Sequence, residues 1–205
     1  MALNRRDLIL GLAACGAGLA FPARAKARIL AGPAFGTSWR IVLGQVADAT
    51  PVEAAVAAIV AEVDAAMSPY KASSDISRFN TSKTTDWQQM PANLCAVAFE
   101  ALNVAALTGG AFDPTVGPIV GRLGFGPIKG EVGSHEGISI ADAAIQKDQP
   151  RLTLDLCGIA KGYGLDRIVS ALESLGVRNA LIELGGEVMA RGHHGDGRAW
   201  QVAIE

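Results

Sequence analysis

The sequence carries no excess of either charge: 18 Lys and Arg stand against 20 Asp and Glu, a net charge of -2. A chain so balanced has no overall pull toward nucleic acid or anionic lipid, which argues against a polyanion partner. Its apolar run from Leu8 to Phe21 is shorter than the ~20 residues that cross a bilayer core. Neither GxxxxGK[ST] nor GxGxxG occurs, so the chain has neither a P-loop nor a Rossmann fingerprint. Carboxylates do not cluster, there is no internal repeat, aromatics make up only 5%, and cysteines number three.

What is present describes an ordinary globular protein of one domain, 50% hydrophobic and 19% charged. Asn4-Arg5-Arg6-Asp7-Leu8 opens a basic region ahead of the apolar run, and Ala23-Arg24-Ala25 follows as a small-x-small cleavage pattern. Residues 1–25 therefore read as a twin-arginine export signal and 26–205 as the domain, giving an exported, periplasmic protein. Leu12-Ala13-Ala14-Cys15 also fits a lipobox, which would anchor the chain by lipid at Cys15 to the inner membrane. The cleaved form keeps Cys95 and Cys157 where disulfides are permitted, and sequence leaves their pairing open.

Partial alternation in Gly36–Leu43 predicts a strand. Thr50-Pro51-Val52-Glu53 is a capping box opening a helix whose stripe is Val52, Val56, Ile59, Val60, Val63 and Met67. Residues 68–89 read as polar loop. A second helix spans 91–108, with Cys95 on its core face, and stops at Gly109-Gly110. Residues 111–138 read as an ordered loop, 151–155 as a strand, 159–175 as a helix closed by Gly176, and 179–184 as a strand. Alternation over 199–204 predicts more strand, and its stop in mid-pattern reads as the end of a fragment. Strands and helices without regular alternation indicate α+β.

Two bends can carry chemistry. Ala111-Phe112-Asp113-Pro114-Thr115-Val116-Gly117-Pro118 is stiffened by its prolines and opened by glycine, so a flat ligand edge can meet main-chain groups there. A rigid turn capping the preceding helix explains this stretch equally well. Asp155-Leu156-Cys157-Gly158-Ile159-Ala160-Lys161-Gly162 runs from a strand end through glycine into a helix, offering amides, a helix dipole and Lys161 to a phosphate. Tyr70 can stack on an aromatic ligand or simply anchor its loop. His193-His194-Gly195-Asp196 reads as an exposed hairpin tip, and Gly185-Gly186 as a place of close packing or ligand approach.

Ala34-Phe35-Gly36-Thr37, the Met67–Asn80 run, AFDPTVGP, LDLCGIAKGYGLD and ALIELGG occur in this order, and together the chain resembles the FAD:protein FMN transferase (ApbE) family. The resemblance implies a T-fold-like α+β architecture with a mixed or antiparallel sheet packed with helices. It further implies FAD as substrate, Mg²⁺ as cofactor, and transfer of FMN to a threonine hydroxyl of an acceptor protein with release of AMP. Carried over by motif, Phe35, Tyr70, Ala111, Phe112, Asp113, Asp155 and Lys161 would contact FAD, and the Gly158 carbonyl would ligate the metal. The general base is not identified.

Implied partners are flavin-acceptor proteins, such as redox-pump subunits or other exported flavoproteins. The family's other metal ligands and a His-bearing segment follow the region matched here, so a chain ending at Glu205 is expected to bind flavin weakly and transfer nothing alone. Competing readings are a Mg-dependent FAD pyrophosphatase giving FMN and AMP, an exported flavin-binding protein without catalysis, and a structural envelope protein.

Overall fold

A computed structural model describes residues 27–44 and 46–203, so the export-signal reading of 1–25, Cys15 included, lies outside the described residues. The chain opens with a hairpin of β1 (Arg28–Ala34) and β2 (Thr37–Leu43). Phe35 and Gly36 form its turn with φ of 51° and 76°, the doubly left-handed geometry that two-residue hairpin turns demand. β1 is unannounced in the sequence, because Gly32 and Pro33 interrupt its pattern. Both are tolerated because β1 lies at the edge of its sheet.

Helix α1 (Thr50–Met67) buries Val52, Val56, Ile59, Val60, Val63 and Met67, as its stripe requires. Its start corrects the capping box. Thr50 is already helical, Ala49 is the cap residue and caps nothing through its side chain, and Asp48 Oδ1 accepts the Thr50 amide at 2.9 Å. The stretch 68–89, expected to be loop, holds the short helix α2 (Asp75–Thr81) and the two-residue strand β3 (Gln88–Gln89). α2 forms because Ser74 caps the Ser77 amide and Ile76 and Phe79 drive into the core. Helix α3 (Ala92–Leu107) follows with Cys95 buried, and ends at left-handed Gly109 and Gly110.

The expected loop over 111–138 contains helix α4 (Gly117–Arg122) and a 3₁₀ turn at His135–Gly137. The hairpin of β4 (Ile138–Ala141) and β5 (Ala144–Lys147) was not legible, its strands being too short to show alternation. The strand expected over 151–155 is not formed: Arg151 lies in a turn and 152–155 belong to no strand. Asn80 replaces a neighbouring strand there: its Nδ2 donates to the Leu154 carbonyl and its Oδ1 accepts the Leu154 amide, both at 2.8 Å. Helix α5 (Cys157–Ser174) begins slightly earlier than its pattern indicated and is closed by left-handed Gly176. The hairpin of β6 (Ala180–Leu184) and β7 (Glu187–Arg191) completes the elements. Residues 199–203 form no strand; Trp200 instead donates its indole N–H to the Arg191 carbonyl at 2.8 Å.

Two antiparallel sheets result, ordered β1-β2-β6-β7 and β3-β5-β4, which makes the molecule α+β. In the larger sheet Trp39, Ile41 and Leu43 lie opposite Leu184, Ile182 and Ala180. All six are buried in one core cluster with the apolar faces of α1 and α5. Each large aliphatic among them contributes roughly 1.5–3 kcal/mol of burial. This layer fixes the start of α5 beside one end of the sheet.

Candidate functional site

Both hairpin turns of the large sheet meet at that end. The Gly185 amide donates to the Ser38 carbonyl at 3.0 Å, so the Gly185-Gly186 turn lies beside the Phe35-Gly36 turn. Gly185 and Gly186 have φ of 56° and 95°, and a Cβ on Gly185 would stand 2.9 Å from Thr37 Cγ2. Backbone conformation and space both require glycine there. Phe35, a non-glycine residue in left-handed conformation, is held with its ring against Gly164 of α5. Such strain, of order 1 kcal/mol, is kept where surrounding structure fixes it, commonly at a site.

A cleft of about 250 Å³ opens between these turns, the end of α1 and the start of α5. Phe35, Val63, Met67, Pro69 and Tyr70 give it apolar walls, and Thr37, Ser68, Cys157, Lys161 and Gly185 add polar groups. Lys161 Nζ donates to the Gly185 carbonyl at 3.0 Å and lies 3.5 Å from Glu187 Oε1. Tyr70 is largely exposed, and its hydroxyl donates to the Phe125 carbonyl at 3.1 Å, tying the cleft rim to the loop after α4. A volume at the small end of ligand pockets accepts a ring system and leaves the rest of a longer ligand to run over the α5 start.

The two predicted bends touch. The Asp155 amide donates to the Pro114 carbonyl at 2.7 Å. A Cβ on Gly117 would stand 3.2 Å from Asp155 Cβ, and one on Gly158 would stand 3.1 Å from Phe112 Cε2. Yet Ala111, Phe112 and Asp113 do not line the cleft, whereas Phe35, Tyr70 and Lys161 do.

Asp113 is occupied within its own loop. Its Oδ1 accepts the Thr115 amide and hydroxyl at 2.8 and 2.7 Å, and its Oδ2 lies 3.4 Å from His135 Nδ1. Burial pushes the Asp113 carboxyl up, but the hydrogen bonds from Thr115 and His135 outweigh it and hold the group below its usual range.

Asp155 modifies the expected amide cradle. Leu156, the cap residue of α5, offers no side-chain acceptor, and Asp155 Oδ1 accepts the Cys157 amide at 2.9 Å. One first-turn N–H is thus already taken, and an anion has to approach from the Lys161 side. At the exposed cleft rim, partial desolvation and the neighbouring Asp155 carboxylate push the Cys157 thiol upward. Cys95 and Cys157 are both free.

On the far flank of α5 a groove of about 360 Å³ includes Glu100, Asp166 and Glu187 with Gly158 and Gly162. Those carboxylates make this flank acidic, and one of them, Glu187, also faces Lys161 at 3.5 Å. Among the described residues no group of three or more His, Cys, Asp or Glu is placed to hold a metal ion. His194 pairs with Asp196 in a turn after β7, and the hairpin expected there is not formed because no strand follows among the described residues. Sequence reasoning did not name Thr37, Val63, Met67, Ser68, Pro69, Cys157 or Ala160 as site residues, and read Gly185 only as a place of close packing or ligand approach. Only the Gly185-Gly186 pair and the Met67-Ser68-Pro69 helix exit carried a signal for them.

The ApbE family model matches residues 35–205. The FAD:protein FMN transferase of Vibrio cholerae is 34% identical over 193 residues, covering 86% of this chain and 58% of that protein. The one from Haemophilus influenzae is 32% identical over 226 residues, covering 98% and 65%. Among solved structures, flavin transferase ApbE from Vibrio cholerae superposes with a TM-score of 0.80 at 33% identity, covering 88% of this chain and 64% of that one. The Pseudomonas stutzeri flavinyl transferase ApbE in apo form gives 0.79 at 29%, covering 88% and 63%. The chain thus spans about 58% and 65% of the lengths of these two curated relatives. With a family match that starts at the strained hairpin turn and takes in the cleft and both bends, the chain belongs to the ApbE family.

Proposed function

We propose that the whole protein transfers the FMN moiety of FAD to a threonine hydroxyl of an acceptor protein and releases AMP. The observation that carries this reading is the meeting of an apolar slot, walled by Phe35, Met67 and Tyr70, with a cationic helix start at Lys161. A flavin ring fits the first and a diphosphate the second. In the transfer, the acceptor oxygen bonds to the FMN phosphorus and the P–O bond to the AMP phosphate breaks. AMP leaves with the bridging oxygen, and the hydroxyl proton passes to a base or to solvent.

This chain's residues bind and orient. Tyr70 stacks beside the ring, Phe35 closes the slot from its strained turn, and Lys161 leaves the Gly185 carbonyl for a phosphate oxygen, where its charge stabilises developing negative charge. Asp155 and the 111–113 bend act by holding the α5 start in place, and Ala111, Phe112 and Asp113 reach ligand only where it extends beyond the cleft.

A divalent ion, the Mg²⁺ of the resemblance, would supply charge neutralisation to the diphosphate. The described residues do not form its site: Gly158 offers a backbone carbonyl, and Glu100, Asp166 and Glu187, which line the same groove, are not placed as a group to hold an ion. The export signal is read as delivering the protein to the periplasm, where its acceptors would be exported flavoproteins or redox-pump subunits.

The test is mass spectrometry of a threonine-bearing acceptor peptide incubated with the whole protein, FAD and Mg²⁺. A covalent FMN adduct with free AMP supports transfer. FMN and AMP in solution with unmodified peptide would identify a pyrophosphatase, and unchanged FAD a binding protein.

A further inference from the structure

Lys147 lines no part of the cleft, yet it is the most unusual side chain among the described residues: a lysine with 0% exposure. Alternation along β5 sends Ile145 and Lys147 to the same buried face. The ammonium meets no carboxylate in any ion pair among the described residues. It donates instead to three backbone carbonyls, Phe79 at 3.1 Å, Ser82 at 2.8 Å and Leu152 at 3.1 Å, and sits 5.0 Å from the Phe79 ring centroid. Three N–H groups for three carbonyls is the full donor complement of a lysine.

Stability alone does not call for this arrangement. Burying an ammonium without a counter-charge is costly, and an apolar side chain of similar volume commonly serves a core as well or better. What the ammonium does, and an apolar group cannot, is bind two separate segments at once. Phe79 and Ser82 end helix α2, whereas Leu152 opens the connecting stretch 152–156. Asn80, between them in sequence, holds Leu154 of the same stretch by both its amide and its carbonyl. The end of α2 is thus fastened to 152–154 at two points, and the chain runs directly on through Asp155 to Cys157, the first residue of the helix that bears Lys161.

We propose that Lys147 is a positioning residue for the phosphate end of the site: its ammonium sets where the 152–156 stretch lies, and thereby where the first turn of α5 points. The ring end, built from Phe35, Met67 and Tyr70, is supported by α1, the large sheet and the start of α2, whose Ser74 and Ser77 hydroxyls donate to the Ser68 carbonyl, whereas Lys147 holds the opposite end of α2. The ligand part of this inference rests on the proposed function.

The experiment compares wild type, Lys147→Met and Lys147→Arg in the whole protein, reading amide hydrogen exchange over 152–160 and the affinities of FAD and of riboflavin, which has the ring but no phosphate. Lys147→Met, which leaves three carbonyls without their donor, is expected to remain folded with a lowered melting temperature, to exchange at least tenfold faster over this segment, and to bind FAD about tenfold more weakly with riboflavin affinity unchanged. Lys147→Arg keeps the charge but presents a planar fork that cannot serve three carbonyls around one nitrogen, so it should show the same pattern; should Lys147→Met not fold, this variant decides. Unchanged exchange over 152–160 in a folded variant overturns the inference, as does an equal loss for FAD and riboflavin. Wild type that binds neither flavin overturns the functional reading instead, and the exchange measurement then still decides the placement role of Lys147.

Discussion

The backbone amide of Asp155 donates to the carbonyl of Pro114 at 2.7 Å, so two glycine-punctuated bends some forty residues apart in sequence are joined by their main chains. Gly117 keeps that junction tight, because a methyl there would sit 2.9 Å from Ile128 Cδ1 and 3.2 Å from Asp155 Cβ. Gly117→Ala should therefore part the bends and cost roughly 1–3 kcal/mol of stability. Denaturant unfolding checks the cost, and a parallel FAD titration should show weaker binding.

Lys161→Met removes the cation at the α5 start. A charge-assisted hydrogen bond is worth about 1.5–3 kcal/mol, so FAD affinity should fall roughly 10- to 100-fold by fluorescence titration. The melting temperature should stay nearly constant, since in the ligand-free protein Lys161 bonds only at the rim, to Gly185 and Glu187.

Tyr70 separates stacking from hydrogen bonding. Tyr70→Phe loses only the bond to the Phe125 carbonyl and should bind flavin almost as wild type. Tyr70→Ala loses the ring and, at about 0.5–1.5 kcal/mol for an aromatic pair, should bind roughly 2- to 12-fold more weakly.

Alkaline pH should stabilise the protein through Lys147. Burial lowers its ammonium from 10.5 to about 8, with the charge of Lys83 adding to the effect. Between those values the unfolded chain binds the proton more readily than the folded one, so unfolding free energy rises with pH across this window and is flat in this contribution below it. Urea midpoints at pH 7.5 and 10 should rise in wild type relative to Lys147→Met, by an amount on the order of 1–3 kcal/mol. A difference that shrinks as pH rises would contradict the burial cost.

The start of α1 offers a sharper contrast. Asp48 accepts the Thr50 amide, and that backbone bond, joined by one from the Thr50 side chain, keeps its carboxyl below the ordinary range. Asp48→Ala should lower the melting temperature more than Thr50→Ala does. The reverse order would restore the capping box that the sequence pattern indicated.

That cap illustrates how much of the fold could be read in advance. The long helices α1, α3 and α5 were legible because their apolar stripes, or a closing glycine, repeat over several turns. Strands β2 and β6 were legible because each buries one face. Short elements were not: α2 depends on one serine cap and two buried side chains, and the β4–β5 hairpin has four residues a side. The stretch 151–155 has a strand's alternation but pairs with the side chain of Asn80, a partner that no local pattern announces.

The same limit governs the site. Phe35, Tyr70 and Lys161 converge on the cleft, and the family resemblance rather than periodicity singled out Phe35. The 111–113 bend was legible as stiff, but its place behind the α5 start follows from the Asp155–Pro114 bond, which is tertiary. Asp113 looked available as a ligand group because composition cannot show that Thr115 and His135 already occupy it.

Asn80 stands in for a whole strand, and this makes a small chemical lesion costly. Deamidation would exchange its donor nitrogen for an anionic oxygen facing the Leu154 carbonyl, turning an attraction into a repulsion. Aged preparations of this protein would then lose flavin binding before they lose fold, and a one-dalton gain at Asn80 would mark the molecules that had.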